Sequence, residues 1–271
     1  MVESSRKDAP KMEDYLKSLE KKHGFQIILT LETGSRAHGL STEHSDHDIK
    51  GLYVLPKSAY ATAKQDSFEK IKVVGTKFPG FKVPIDIEFL ELKTFLNELK
   101  SGEDVYLRWL FSDVIYRDKY PEIRKTVLEN CALPNTELLS RLTKDLQKIE
   151  TNAGTKAAGK MINMIVDSLI LLWIQLRATY PVYNVYDLAD KLKELKEGDG
   201  MTETLLSGVE YCMEQVQQLY YVKKKGKTVN VPADYEVFAF VKSVCELKSK
   251  FENVNKLTSK HVEELIEKAI V

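Results

Sequence analysis

The pattern of hydrophobic and polar residues differs between the two halves of the chain. Up to about residue 117, short apolar runs rich in β-branched residues predict strands, and segments with helical spacing alternate with them. From about residue 136 onward, nearly every segment has the apolar spacing that is typical of helices. We therefore predict an α+β protein, with a sheet-containing domain at residues 1–118 and a helical domain at residues 119–271.

The individual elements follow from this pattern and from Gly and Pro residues that end them. Strands are predicted at 25–31, 48–55, 67–74 and 83–90. In the first half, helices are predicted at 11–22, from Gly34, at 91–100 and at 103–111. In the second half they are predicted at 137–179, with Gly154 as an optional break, and at 186–195, 202–222, 235–251 and 259–270.

Composition narrows the class of protein. The 271 residues include 40 Lys+Arg and 40 Asp+Glu, which excludes a globally basic nucleic-acid coat and leaves only local patches for such binding. The three widely spaced cysteines predict free thiols in a reducing compartment. The most apolar segment, 161–176, contains Asn163, Asp167 and Gln175 and predicts a core helix. We expect a cytoplasmic or nucleoplasmic protein without a membrane partner.

The candidate chemistry begins at Gly34 and Ser35, where a predicted strand runs into a short helix. Glycine allows close approach of the backbone, and the first turn of a helix offers free N–H groups to an anion. The serine hydroxyl adds a further hydrogen-bonding group. These residues predict a phosphate-binding turn, although the sequence has no GxxxxGK[ST] motif.

Carboxylates follow on the predicted strands. Ten residues separate Ser35 from Asp46, and Asp46 and Asp48 share one strand face because alternate residues point the same way. Carboxylates this close repel each other unless a cation lies between them, and oxygen ligands suit Mg²⁺, with Mn²⁺ as an alternative. Asp86 or Glu88 on a later strand could add a third carboxylate, and we favour Asp86. The pattern indicates two-metal phosphoryl or nucleotidyl transfer.

These residues resemble a known superfamily. A Gly-Ser pair, ten residues, Asp-x-Asp and an acidic residue on a later strand are typical of DNA polymerase beta-like nucleotidyltransferases. The fuller run GSRAHGLSTEHSDHDIKGLYV is similar to predicted nucleotidyltransferases of an RNA repair pathway, a polymerase-beta-family branch. The resemblance is close over residues 25–115 and loose over the helical half. His47 departs from it, since the superfamily prefers an apolar residue there.

The resemblance implies a mixed sheet, two Mg²⁺ ions and a nucleoside triphosphate substrate. Gly34 and Ser35 would bind the triphosphate. Asp46 and Asp48 would bind both metal ions, and Asp86 would complete the metal site and help to activate the incoming hydroxyl.

Basic residues offer further candidates, each with an ordinary alternative. Arg36 could contact a phosphate or form a surface salt bridge, and Lys50 could pair with the carboxylates or with phosphate. Lys144, Lys148, Lys156 and Lys160 are spaced at multiples of four residues, which predicts either a solvated helix face or a basic rim for triphosphate or RNA. Lys160 is the candidate for a triphosphate contact, because its helix resembles one that supplies such a lysine. Lys223–Lys227 is a basic turn that either is simply solvated or grips nucleic acid.

Two groups of residues have simpler interpretations. His38, His44 and His47 could form a zinc site, but no cysteine is near, so contact of one histidine with a base or a phosphate is preferred. Trp109 and Trp173 lie on apolar helix faces and are predicted to be core residues.

The sequence thus predicts a metal-dependent nucleotidyltransferase. It would move a nucleoside monophosphate from an NTP to an acceptor hydroxyl, most readily an RNA end, tRNA included, and release pyrophosphate. Two hypotheses stay open beside it. The acceptor could be a protein or a small molecule, or the fold could be a catalytically silent module that binds nucleotide or RNA. The sequence carries no information on the oligomeric state.

Overall fold

The structure is a computed structural model that describes residues 2–62, 70–77, 81–101, 106–133, 135–151, 155–224, 230–232, 234–248 and 255–270. The chain divides into two compact units. The first comprises Met1–His38, Ser45–Ala132 and Val254–Val271, and the second comprises Gly39–His44 and Leu133–Asn253. The boundaries between the two units differ from the predicted boundary at 118/119, because residues 119–132 and the C-terminal segment belong to the first unit.

The first unit is built on a five-stranded mixed sheet, as an α+β fold class requires. Its strands are β1 (Gln26–Thr33), β2 (His47–Val54), β3 (Ile71–Thr76), β4 (Ile85–Glu91) and β5 (Ile115–Asp118), in the order β3-β4-β2-β1-β5. β2 and β4 are parallel, and the other neighbouring pairs are antiparallel. The predicted α+β class is confirmed.

Helices complete the first unit. They are α1 (Val2–His23), α2 (Gly34–Ala37), α3 (Lys57–Thr62), α4 (Leu92–Ser101), a 3-10 helix (Leu107–Phe111), α5 (Pro121–Asn130) and α11 (Ser259–Ala269). Met12, Tyr15, Leu16 and Leu19 of α1 pack with apolar residues of the strands in one buried cluster. The α1-packed face of β2, β4 and β3 is therefore part of the core.

The second unit is helical. It contains α6 (Asn135–Thr151), α7 (Ala158–Arg177), α8 (Val185–Lys193), a 3-10 helix (Glu197–Asp199), α9 (Glu203–Lys224), α10 (Tyr235–Glu246) and the short strands β6 (Thr155–Ala157) and β7 (Asn230–Pro232). α7 is buried along most of its length and packs against α6, α8, α9 and α10. It is the one described helix long and apolar enough to cross a membrane, and 78% of its most apolar window is buried, as in a core helix.

Several predicted elements differ in the structure. The predicted helical stretch 137–179 is two helices with β6 between them, and the described part of 103–111 is a 3-10 helix. The elements α3, β5, α5 and β7 were not predicted. β5 has only four residues, so its alternation is short. The ends of the predicted segments 67–74 and 235–251 lie partly outside the described residues.

Candidate active site

Three carboxylates meet at one end of the paired strands β2 and β4. The parallel register sets Asp48 of β2 directly beside Asp86 of β4, and Asp46 lies just before β2. One ligand oxygen from each residue lies within 4.8 Å of the other two. Of the residues that the structure describes, these are the one set of three or more His, Cys, Asp or Glu side chains close enough to share a metal ion.

Burial and the neighbouring charges change the protonation of Asp48. Burial, followed by the charge of Asp46, raises the pKa of Asp48 from 3.8 to about 6, and Glu32 and Asp86 act in the same direction. The charge of Lys50 opposes this shift without cancelling it. Within the described part of the chain, none of the three clustered carboxylates forms an ion pair. Such a cluster favours binding of a cation.

The turn at Gly34 packs directly against this cluster. Gly34 has a φ of +62°, and a Cβ atom built there would lie 2.1 Å from Oδ2 of Asp48. Only glycine therefore fits between the end of β1 and the carboxylate. Gly34 opens α2, a single helical turn on which Ser35 is partly buried. A phosphate held by this turn would lie beside the candidate metal site.

Arg36 holds the segment that carries Asp46. Its Nε donates a hydrogen bond to the Asp46 carbonyl at 2.9 Å, and its NH2 group donates to the Ser45 carbonyl at 2.6 Å. These bonds go to backbone oxygens. Arg36 is thus a positioning residue for Asp46, and its predicted contact with a phosphate stays a prediction.

A buried polar network lies on the opposite face of the sheet. Glu32 is 1% exposed, and its Oε1 accepts a hydrogen bond from the backbone N–H of Asp48 at 2.9 Å. Its Oε2 lies 2.8 Å from Nδ1 of His47 and accepts a hydrogen bond from the Tyr116 hydroxyl at 2.6 Å. Because buried carboxylates need such partners, the network fixes the backbone that carries Asp48.

The fourth acidic side chain of this region, Glu88, is arranged differently. Its Oε2 lies 2.7 Å from Nζ of Lys50, and its Oε1 forms an ion pair with Lys70. Burial alone would raise the pKa of Glu88, but hydrogen bonds from the two lysines outweigh it and lower this pKa. The structure groups Asp86, and not Glu88, with Asp46 and Asp48.

The other predicted basic residues belong to the second unit. Lys160 is exposed on α7 in the second unit, and its triphosphate contact stays a prediction. Lys144 and Lys148 are exposed on α6, whereas Lys156 lies in β6 and cannot continue their helical face. Lys223 and Lys224 end α9, and residues 225–227 lie outside the described part.

Among the described residues, His38, His44 and His47 do not form a zinc site. His47 bonds Glu32, and the exposed His44 lies 3.6 Å from Glu43. The described residues bring no three histidine, cysteine or acidic side chains together around them. The three cysteines are thiols, as predicted.

Sequence reasoning missed two contributors to the site. Glu32 is a charged residue inside the apolar run of β1, and that unusual position was the available signal. Trp109 was predicted to be core, but it is only partly buried and its ring lies 5.7 Å from Nζ of Lys50. No spacing in the sequence indicates this second contact, because it joins β2 to the 3-10 helix.

The donor chemistry of the cluster fits a hard divalent cation. All three side chains offer oxygen atoms, and Mg²⁺ is usually held by one or two carboxylates together with substrate phosphates. Asp46, Asp48 and Asp86 would hold the ion, and Mn²⁺ accepts the same ligands.

Comparisons with known proteins bear on this geometry. A model of the RNA repair pathway DNA polymerase beta family matches residues 9–265 of the chain. The uncharacterized protein YcgL of Bacillus subtilis (strain 168) is 31% identical over 107 residues, which are 40% of this chain and only 38% of that protein. A crystal structure of a nucleotidyltransferase-like protein from Exiguobacterium sibiricum 255-15 is 11% identical, with a TM-score of 0.28 over 96% of this chain and 89% of that chain.

Proposed function

Since the chain belongs to the RNA repair pathway DNA polymerase beta family, we propose that it is a metal-dependent nucleotidyltransferase. The observation that carries the proposal is the cluster of Asp46, Asp48 and Asp86 against the Gly34 turn. Carboxylates that share a cation beside a phosphate-binding turn are what transfer from a nucleoside triphosphate requires.

The proposed reaction joins a nucleoside monophosphate to an acceptor. The acceptor oxygen forms a bond to the α-phosphorus of the NTP, the bond from that phosphorus to the α,β-bridging oxygen breaks, and pyrophosphate leaves. The hydroxyl proton passes to the Asp86 carboxylate and then to water. When bound, Mg²⁺ would neutralise developing charge on the phosphate and lower the pKa of the acceptor hydroxyl.

Each of the candidate site residues has a role in this proposal. The backbone of Gly34 and Ser35 binds the triphosphate, with Lys160 and Arg36 as further phosphate contacts. Asp46, Asp48 and Asp86 would hold the metal ions, and Asp86 would help to activate the acceptor hydroxyl.

We favour an RNA end, tRNA included, as the acceptor. The name of the family supports this choice, and the separate lysine-rich segments of the chain agree with it. The reaction would take place in the cytoplasm, where reducing conditions keep the three cysteines as thiols. A hydroxyl on a protein or a small molecule is the rival acceptor.

The test follows two labels. The protein is incubated with Mg²⁺, total RNA or total protein, and an NTP labelled at the α- or the γ-phosphate. We expect the α-label on RNA and the γ-label in pyrophosphate. Label on protein alone would exclude RNA as the acceptor, and nucleotide binding without any transfer would identify a silent module.

Two variants and a matched control connect the activity to the site. Asp46→Ala and Asp48→Ala should each abolish transfer and leave the circular dichroism spectrum unchanged. Glu43→Ala, an exposed acidic residue of the same connection, should transfer at the wild-type rate. Full activity in either aspartate variant would refute the proposed metal site.

A further inference from the structure

The face of the sheet that carries the clustered carboxylates also carries a row of lysines. Ile49, Ile87 and Val73 of β2, β4 and β3 pack with α1. Because side chains alternate along a strand, the residues between them point to the opposite face. That face holds Asp48 and Lys50 on β2, Asp86 and Glu88 on β4, and Lys72 and Val74 on β3.

The register orders these side chains into two rows. Asp48 lies beside Asp86, and two residues further along, Lys50 lies beside Glu88 and Glu88 beside Lys72. At about 3.3 Å per residue, the second row lies about 7 Å along the strands from the carboxylates. Lys70 joins it through its ion pair with Glu88. We call Lys50, Lys70 and Lys72 the basic row.

The basic row carries more positive charge than its own acid can balance. Glu88 is the one carboxylate that pairs with these lysines among the described residues, so three ammonium groups face one carboxylate. Lys72 is exposed, and the side chain of Lys70 is 38% exposed. Charge remains available for an anion that approaches from solvent.

Two aromatic rings contact the ammonium groups of Lys50 and Lys70. Nζ of Lys50 lies 5.7 Å from the centroid of the Trp109 ring, and Nζ of Lys70 lies 5.1 Å from that of Tyr106. The two rings contact each other edge to face, with centroids 5.0 Å apart. Such contacts hold lysine side chains without neutralising their charge.

The position of the basic row relative to the Gly34 turn indicates which anion the basic row would bind. Thr33 of β1 pairs with Asp48, and Leu31 pairs with Lys50, so the chain reaches Gly34 by running away from the basic row. The carboxylates therefore lie between the turn and the row. If the triphosphate binds at the turn, the row faces the acceptor.

We propose that the basic row is an acceptor subsite that binds a backbone phosphate of a single-stranded RNA end beside its reacting hydroxyl. This inference rests on the proposed function and deepens it. The terminal hydroxyl of a strand and the nearest backbone phosphate belong to one nucleotide, so the carboxylates and the row are suitably spaced for both. A serine or tyrosine hydroxyl of a protein acceptor brings no such phosphate.

Binding tests the subsite independently of transfer. A fluorescent single-stranded oligoribonucleotide is titrated against the full chain without NTP or Mg²⁺, and its anisotropy is measured over a range of salt concentrations. The double variant Lys70→Gln/Lys72→Gln keeps the Lys50–Glu88 pair. We expect its affinity to fall about 10-fold, and its slope of log affinity against log salt to decrease by about 0.7, as for one lost phosphate contact.

The control removes the same charge from another surface. Lys21 and Lys22 are exposed at the end of α1, and Lys21→Gln/Lys22→Gln should bind the oligoribonucleotide like the wild type. Lys72→Gln alone changes one exposed side chain and guards against misfolding of the double variant. Binding of a fluorescent ATP analogue should be the same in all variants, because the triphosphate is assigned to the turn.

The outcomes separate this inference from the proposed function. Unchanged RNA affinity in both basic-row variants, loss of ATP binding alone, or no binding of RNA by the wild type would each overturn the subsite. RNA binding that depends on the row, without any transfer, would keep the subsite and refute the activity. Transfer to a protein hydroxyl at the same rate in every variant would keep the activity and refute the subsite.

Discussion

The two faces of the sheet hold carboxylates in opposite ways. On the α1-packed face, Glu32 is buried and bonds His47, Tyr116 and the backbone of Asp48. On the open face, Asp48 and its two acidic neighbours lie within 4.8 Å of one another and form no ion pair with any described residue. The two arrangements lie on opposite faces of the same sheet.

This difference is the one that we expect between a structural carboxylate and a functional one. A buried carboxylate without partners costs several kcal/mol, so Glu32 is retained with a complete set of hydrogen bonds. The open cluster keeps its repulsion, which destabilises the protein unless a cation binds. We therefore assign stability to Glu32 and chemistry to the open cluster, and each of the following variants tests that assignment.

The largest effect is expected for Asp48→Asn. Loss of this ligand should lower the rate of nucleotidyl transfer by about 10³-fold or more, because the metal site loses one of its two shared carboxylates. The midpoint of thermal unfolding of the metal-free protein should not fall, since the substitution removes repulsion. Initial rates and differential scanning calorimetry measure both. A variant that keeps a tenth of the wild-type rate would contradict the assignment.

Glu32→Gln, unlike Asp48→Asn, should reduce stability and should have the smaller effect on the rate of transfer. The amide cannot accept hydrogen bonds at both ends, so the free energy of unfolding should fall by about 2 kcal/mol, as measured by urea denaturation. Transfer should decrease by about 10-fold to 100-fold, because Asp48 loses part of its support.

The exposed Glu43→Gln is the control for Glu32→Gln and should change neither quantity. An unchanged stability of Glu32→Gln together with complete loss of transfer would mean that the α1-packed face also takes part in the chemistry.

Gly34→Ala tests the contact between the turn and Asp48. The new methyl group would meet Oδ2 of Asp48, and the left-handed backbone adds about 1–2 kcal/mol of strain. Gly24→Ala supplies the matched control, because Gly24 has a φ of +70° and nothing within 4 Å of a Cβ atom.

The difference between the two alanine variants isolates the contact with the carboxylate. We expect both to lose stability, and only Gly34→Ala to lose affinity for Mg²⁺ in a titration calorimeter. Equal Mg²⁺ affinity in the two variants would show that the Gly34 turn does not contribute to Mg²⁺ binding.

Much of this site could be predicted from the sequence, because its residues follow local rules. Asp46 and Asp48 share a strand face, and the Gly-Ser turn follows a run of β-branched residues. The sequence favours Asp86 over Glu88 without a geometric reason, and the register of β2 and β4 supplies one, because it places Asp86 beside Asp48 and Glu88 beside Lys50. That pairing is a long-range property and has no local signal.

The parts that could not be predicted are also long-range. The structural role of Glu32 depends on its hydrogen bond with Tyr116, which is 84 residues away in the chain. The C-terminal helix α11 joins α4 in the first unit, although its helical period looked like that of the second half. A hydrophobic period identifies a buried face but does not identify the surface that covers it.

The smallest effect concerns pH, and its sign distinguishes Asp48 from Glu88. The pKa of Asp48 is about 6 in the folded protein and about 3.8 in an unfolded chain, so the folded state binds more protons between these values. The metal-free protein should therefore lose stability as pH rises from 4 to 6. Glu88, with its lowered pKa, contributes stability above its ordinary value of 4.5 that is lost as pH falls further.

Magnesium should reverse the trend that Asp48 imposes. Because the ion binds the ionised carboxylate, millimolar Mg²⁺ should raise the midpoint of thermal unfolding by about 2–4 °C above pH 6 and by much less at about pH 5. Scanning calorimetry across this range, with and without Mg²⁺, measures the effect. Asp48→Asn should remove the pH dependence of the magnesium shift, whereas Glu88→Gln should preserve it. A shift that survives unchanged in Asp48→Asn would place the ion elsewhere.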